Sequence, residues 1–256
     1  PQPRWSVVED LGSRDSALAA VGGFPCVAKK PVGGYDGKGV RVIESWDGVE
    51  DWCEEGPVLL EEKVAFDREL ALLSARRQGG EWVPWLPVET RQVDGVCSEV
   101  VAPAPAYQDI QSQAETISRE ISEKLGIVGV LAVEVFQVDG DTLLVNELAM
   151  RPHNSGHVLT ELSATSQFEQ HLRAVADLPL GSPDLVSGAG VMVNVFGSID
   201  DDARARAWSA VPEAKIHDYG KSAREGRKVG HLVVTGSESA HVRERARQAH
   251  SLLVSR

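Results

Sequence analysis

Cysteine is scarce and scattered in this chain. Cys26, Cys53 and Cys97 lie far apart with no CxxC spacing, which argues against a zinc site and a disulfide framework and leaves buried or idle thiols as the expectation. No apolar run approaches the length that spans a bilayer, and the opening PQPRWSVVED has no basic segment leading into a hydrophobic stretch. Neither a membrane span nor a secretory leader is expected, and a cytoplasmic location is. Basic residues are also short: 26 Lys and Arg against 38 Asp and Glu give a formal charge of −12. Nucleic acid and anionic membranes are therefore unexpected partners, because both require a basic surface that replaces counterions. An initiator methionine is missing too, and the first apolar strand begins within a few residues of Pro1, so a fragment of a longer protein is expected. What remains is ordinary: 42% hydrophobic and 25% charged residues in 256 positions, enough for one large or two to three small domains.

Secondary-structure signals alternate without any internal repeat. PCVAKKP and GVRVIES read as strands, followed by a short helix WDGVEDWCEEG closed by Gly56. PVLLEEKV, RELALLSARR and EWVPWLPVETRQV read as three more strands. From Gln108 to Leu125, apolar residues at Ile110, Ala114, Ile117, Ile121 and Leu125 follow the helical period up to a C-capping Gly126. VGVLAVEVFQV and TLLVNELAM form a hairpin around DGD. Ser166 caps a helix with Phe168, Leu172, Val175 and Ala176 on one face, and GVMVNVFG, EAKIHDY and VGHLVVTG are strands before a last helix over 238–254. Such a mixture argues an α+β architecture.

Five local patterns carry chemistry. In PVGGYDGKGV, the glycines at 33, 34, 37 and 39 let backbone amides approach an anion. The loop nevertheless fails the Walker A pattern, which needs glycine at Val32 and Ser or Thr at Gly39, and the dinucleotide pattern, which needs glycine or alanine at Val42. A plain glycine-rich hairpin explains it equally well. Around DGD, a two-residue turn at 139–140 or at 140–141 places Glu134 and Glu147 on one face as opposite or diagonal neighbours. Carboxylates that close suit a hard cation such as Mg²⁺. MRPHNSGH adds Arg151, His153, Asn154, Ser155 and His157, donors fit for an anion. YGKSAREGRKVGH gathers Lys221, Arg224, Arg227, Lys228 and His231 in an otherwise acidic chain. Finally, VAKK puts Lys29 and Lys30 on opposite faces of a strand, so one can enter a cleft. Together these parts suit phosphoryl transfer from ATP.

GGYDGKG, FDREL, VNELAMRPHNSGH, TSQFEQHLRAV and GRKVGH, in that order from about Pro25 to Val234, resemble the N5-carboxyaminoimidazole ribonucleotide synthetases, ATP-grasp enzymes of purine biosynthesis. The resemblance implies an ATP-grasp fold with a lid subdomain over 1–60, a larger Mg-ATP domain over 61–186 and a C-terminal β-rich piece over 187–256. It implies ATP-driven carboxylation of aminoimidazole ribonucleotide by bicarbonate through carboxyphosphate, and a homodimer. By the same resemblance Lys29 meets the ATP phosphates and Gly33, Gly34, Gly37, Lys38 and Gly39 close over them. Glu61, Glu62, Lys63 and Val64 form the adenine-reading hinge, Glu69 holds the ribose, and Glu134 and Glu147 bind Mg²⁺ beside Asn146. Tyr35, Asp36, Arg151, His153, Asn154, Ser155, Lys221, Arg227 and Lys228 hold the ribonucleotide. Asp36 is the implied base for the amine, with His153 and Arg151 at the carboxyphosphate.

Three departures accompany the resemblance. Gln92 replaces a histidine near the nucleotide, Met150 replaces a proline, and the N-terminal domain of the family is not represented. Weak or no carboxylation by this chain alone is the resulting expectation. The alternatives are another ATP-grasp activity, such as formate-dependent glycinamide ribonucleotide transformylation or a biotin carboxylase-like role, or an inactive nucleotide-binding module.

Overall fold

In this computed structural model residues 1–34 and 39–254 are described. Two antiparallel sheets organise them. The smaller has the order β1-β4-β2-β3, from β1 (Trp5–Val8), β2 (Cys26–Lys29), β3 (Val40–Ile43) and β4 (Val58–Glu62). Two short helices, α1 (Arg14–Val21) and α2 (Glu50–Glu55), accompany it. Val8, Val21, Ala28, Ile43, Trp52 and Leu60 form one buried cluster, so this unit carries its own core. An edge at 60/61 would cut β4, which pairs with β1 through Glu61; the small unit runs on through Glu62.

The second sheet has nine strands. They are β5 (Arg68–Arg76), β6 (Trp82–Pro84), β7 (Val88–Val93), β8 (Val96–Ala102), β9 (Gly129–Val138), β10 (Thr142–Ala149), β11 (Ala189–Gly197), β12 (Lys215–Asp218) and β13 (Arg224–Gly236). Their order is β10-β9-β5-β7-β8-β11-β13-β12, with β6 beside β5. The stretch expected as one strand from Glu81 to Val93 is thus two, β6 and β7, separated by a segment containing Pro87, which has no N–H to give a ladder. Pairing of β8 with β11 makes the C-terminal strands a continuation of the same sheet.

Strand alternation splits the core into two faces. Leu70, Leu72, Leu131 and Val133 turn toward α3 (Gln111–Lys124), and Val101, Val191, Val193 and Leu232 pack with α6 (Asp201–Ala210) and α7 (Ser239–Val254). Ala71, Leu73, Ala132, Val100, Met192 and Val233 turn the other way, toward α4 (Val158–Leu162) and its neighbour α5 (Gln167–Val175). On α5 the apolar stripe faces out: Phe168, Leu172 and Val175 are exposed, whereas Gln167 and Gln170 are fully buried. Each buried glutamine is satisfied by backbone, Gln167 at His153 and Gln170 at Gly181, which offsets the cost of burying an amide.

Candidate active site

The hairpin of β9 and β10 positions the acidic pair. Its turn contains three residues, Asp139 to Asp141, because Thr142 pairs with Val138, so neither two-residue turn forms. Continued unchanged, that register would set Asn146 opposite Glu134 and send Glu147 to the other face. A β-bulge between Val145 and Glu147 shifts the register by one, and Glu147 lies directly opposite Glu134. The bulge also frees the Asn146 side chain to receive the Lys29 ammonium at 3.0 Å.

Lys29 is the bridge between the sheets. It leaves the end of β2, pairs with the Glu61 carboxylate of β4 at 2.7 Å and reaches Asn146 of β10. Lys30 points away, to Glu55 at 2.5 Å and over the Trp52 ring, as strand alternation requires. Glu62 is committed elsewhere: its carboxylate pairs with Arg4, and its N–H donates to the Arg4 carbonyl at 2.9 Å. In the hinge, this leaves the exposed Lys63 and half-buried Val64 outside any strand.

Glu134 sits under electrostatic strain. Burial, then the nearby Glu147 and Glu69, push its carboxyl up to about 7, although Lys29 and Arg151 oppose the rise. His153 Nε2 lies 3.3 Å from the Glu134 carboxylate. Burial, Arg151 and Lys228 hold that imidazole down at about 4, so at neutral pH a neutral ring stands against the Glu134 carboxylate. Its Nδ1 lies 2.8 Å from the Ser155 hydroxyl and accepts the Ser155 N–H at 3.4 Å, which leaves the proton to Nε2. A carboxylate pushed up by its neighbours, opposite a second carboxylate, is a donor set suited to a hard divalent cation. Glu69 is raised by burial and accepts a hydrogen bond from Gln92, so the glutamine that departs from the family pattern reaches the Glu69 carboxylate.

The loop after β10 is held by packing that only glycine permits. A Cβ on Gly156 would lie 2.3 Å from Gln167 Oε1 and 2.6 Å from Leu73. Gln167 grips the loop, accepting from His153 N at 2.8 Å and donating to His153 O at 2.9 Å. Arg151 is exposed and donates to the Pro152 carbonyl, and Met150 beside it is also exposed. Asn154 accepts from Lys228 at 3.5 Å, and Ser155 is buried. Lys221 lies 5.0 Å over the Tyr219 ring and reaches the Lys228 carbonyl. Arg227 bonds the Ser222 hydroxyl at 2.8 Å, within its own turn. In the glycine loop Gly33 and Gly39 have φ near +80°, as that region favours in glycine. Tyr35, Asp36, Gly37 and Lys38 lie outside the described residues.

The structure adds residues that sequence reasoning missed. Phe136, two along β9 from Glu134 and directly opposite Glu69, shares their face and stacks on Phe66 with centroids 4.6 Å apart. Cys97 lies near Lys228, Glu134 and Glu69, its thiol pushed up to about 12 by burial, hence inert. Among the described residues no group of three or more His, Cys, Asp or Glu is arranged as a metal cluster, and no helix is long and apolar enough to cross a membrane.

Comparison with known proteins gives the same order of parts. Residues 1–168 match the ATP-grasp domain, and residues 190–245 match the phosphoribosylaminoimidazole carboxylase C-terminal domain. The N5-carboxyaminoimidazole ribonucleotide synthase of Mycobacterium tuberculosis is 44% identical over 96% of this chain and 60% of its own. That of Corynebacterium ammoniagenes is 43% identical over 99% of this chain and 65% of its own. The crystal structure of the Thermus thermophilus synthetase superposes with a TM-score of 0.88 at 36% identity, covering 100% of this chain and 69% of that one. The Aspergillus clavatus enzyme, solved in complex with ADP and 5-aminoimidazole ribonucleotide, gives 0.83 at 30% identity, over 98% of this chain and 69% of its own. The chain spans about 60% of the length of the mycobacterial relative.

Proposed function

The chain belongs to the ATP-grasp family and within it to the N5-carboxyaminoimidazole ribonucleotide synthases, and from that premise we propose that it carries the nucleotide, cation and ribonucleotide sites of an ATP- and bicarbonate-dependent carboxylation of 5-aminoimidazole ribonucleotide. The observation that carries this reading is Lys29, held between Glu61 and Asn146 beside the opposed Glu134 and Glu147. A cation there meets the charge that two facing carboxylates and a triphosphate would otherwise leave unbalanced.

Glu134 and Glu147 would hold Mg²⁺, which supplies charge neutralisation on the transferred phosphoryl group. Lys29 orients the phosphates from the small sheet. His153, neutral and with its Nε2 proton toward Glu134, offers a donor for carboxyphosphate once Glu134 is otherwise engaged. Bicarbonate attacks the γ-phosphorus, ADP leaves, and the carboxyphosphate releases CO2 and phosphate; the exocyclic amine of the ribonucleotide captures the CO2 and loses a proton. Asp36 is the residue assigned to that proton. Asn154, Ser155, Lys221, Arg227 and Lys228 form the ribonucleotide end. Because the relatives are longer, carboxylation is proposed of the whole protein.

A cytoplasmic homodimer belongs to the same reading. Its support is the outward face of α5, where Leu172 is 66% exposed between Phe168 and Val175, a stripe that a second copy would cover. ADP release tests the function: it should require both bicarbonate and aminoimidazole ribonucleotide. Equal release with formate in place of bicarbonate, or with no ribonucleotide, would sink it.

A further inference from the structure

Three imidazoles from distant parts of the chain stack beneath the basic cluster. His157, from the loop before α4, lies 4.4 Å from His231 of β13 at an interplanar angle of 5°. His231 in turn lies 4.5 Å from His217 of β12 at 12°, the two being direct cross-strand partners. Phe168 extends the column, stacked on His157 at 5.7 Å. Gly230 makes this approach of β12 and β13 possible, since a Cβ there would lie 2.3 Å from the His217 carbonyl.

Each ring is also fixed at an edge. The Tyr219 hydroxyl lies 2.7 Å from His231 Nδ1. Gln167 Nε2, which also bonds the His153 carbonyl, lies 3.2 Å from His157 Nδ1. Glu161 of α4 meets His217 Nε2 at 3.2 Å. Burial is the largest influence keeping His157 and His231 uncharged, and Lys228 adds to it. Neighbouring rings this close cannot both carry a charge without repelling one another, which agrees with a neutral His231 at the centre of the stack.

Both lysines of the anion end are connected to this column. Lys221 is seated on the Tyr219 ring, whose hydroxyl ties to His231. Lys228 lies on the same strand as His231 and bonds Asn154, three residues before His157. We propose that His157, His231 and His217 with Tyr219 form the positioning element of the anion end, fixing Lys221, Lys228 and Asn154 so that together they grip a phosphate monoester. The inference rests on the reading of those lysines as ribonucleotide anchors. A second feature points the same way: His231, only 5% exposed, has an Nε2 with no hydrogen-bond partner among the described residues. With the Tyr219 hydroxyl donating to Nδ1, that nitrogen carries the proton, and a buried donor without an acceptor is uncommon.

Binding of inorganic phosphate to this chain, followed by calorimetry with Mg-ADP as the control probe, tests the assignment. His231→Ala should weaken phosphate binding about tenfold or more. His231→Phe, which keeps the stacked ring, should stay within about threefold of the parent, and Tyr219→Phe should fall between them. Mg-ADP affinity should stay within about twofold in all three. Phosphate binding unchanged in His231→Ala, lost equally in His231→Phe, or lost together with Mg-ADP would overturn the proposal, as would a parent chain that binds Mg-ADP but no phosphate. If His231→Ala does not fold, His157→Ala at the other end of the stack takes its place with the same outcomes. Failure of the functional reading is a separate result: phosphate gripped through the column, with aminoimidazole ribonucleotide binding no more tightly than phosphate.

Discussion

At the Glu134 end of the site five ionisable groups, Lys29, Glu61, Glu69, Glu134 and Glu147, crowd around one hairpin, whereas at the Lys228 end the basic cluster adjoins a column of stacked rings in which burial keeps His157 and His231 uncharged. The first end is built of charges that are incompletely balanced without a cation. The second is built of shape, with rings and amides fixing where the cations sit. Charge deletions should therefore dominate at one end and shape changes at the other.

The largest expected effect lies at the charged end. Replacing Glu134 and Glu147 together with glutamine should lower Mg²⁺-dependent ADP formation by about 10²- to 10³-fold, read as initial rates in the full-length enzyme. Stability should move the opposite way. The Glu134 carboxyl lies above its ordinary value in the fold, so the folded state binds the extra proton, and its ionisation costs stability as pH rises from about 4.5 to about 7. Removing that cost should raise the stability of the ligand-free protein above pH 7 by up to about 3 kcal/mol. A double variant that loses both activity and stability would show that the pair is structural.

Lys29→Met comes next. It should weaken ATP binding about 10- to 100-fold and leave Glu61, with a side chain only 15% exposed, without its partner. A thermal melt in the same buffer should show a loss of about 1 to 3 kcal/mol. Equal nucleotide affinity in parent and variant would remove Lys29 from the phosphate end.

The two ends also differ in how much of them the sequence reveals. VNELAMRPHNSGH places Glu147, His153 and Asn154 within a few residues of one another, and the apolar flanks of Glu134 mark a strand, so the acidic pair follows from local pattern alone. Even there the reason is hidden, since the three-residue turn would misplace Glu147 without the bulge at Asn146, and bulges leave no signature in alternation. The ring column is illegible because His157, His217, Tyr219 and His231 meet only through sheet order and tertiary packing. In α5, helical period and the Ser166 cap were readable, but which face lies inward was not. Two buried glutamines that find backbone partners outweighed a stripe of Phe168, Leu172 and Val175, and hydrophobic period alone assigns such a stripe to the core.

Acid should separate the ends by sign. His157 is held down at about 4 and His231 at about 2 within the fold, below the ordinary imidazole value, so their contribution to stability is complete above about pH 6.5 and is lost as pH falls through the folded values. For His157 alone the loss between pH 6.5 and 4 is up to about 3 kcal/mol. Denaturant melts of the parent should therefore weaken on acidification in this range more than those of His157→Phe, which keeps an aromatic ring beside Phe168 and cannot take a proton. The glutamine pair at the other end should instead abolish the loss of stability that Glu134 causes as pH rises from about 4.5 to about 7. Parallel pH profiles for the parent and His157→Phe would refute a buried, neutral His157.

The smallest effect on either end should come from the outward face of α5, although the same helix holds the loop of the site through Gln167. Leu172→Glu places a charge on a side chain that is already 66% exposed, so the stability of the isolated subunit should change by no more than about 0.5 kcal/mol. ATP and phosphate affinities should stay within about twofold. What should change is the mass in solution. Across a two-fold axis Phe168, Leu172 and Val175 of two copies can cover each other, and the Glu169 and Arg173 pair that flanks the stripe can meet its opposite number in antiparallel sense; a new glutamate at the centre would be desolvated without a partner. Sedimentation should give a dimer for the parent and a monomer for Leu172→Glu. Identical masses would mean that α5 turns its apolar face outward for some reason other than self-association, and a monomeric variant with weakened phosphate binding would mean that the site depends on the second copy.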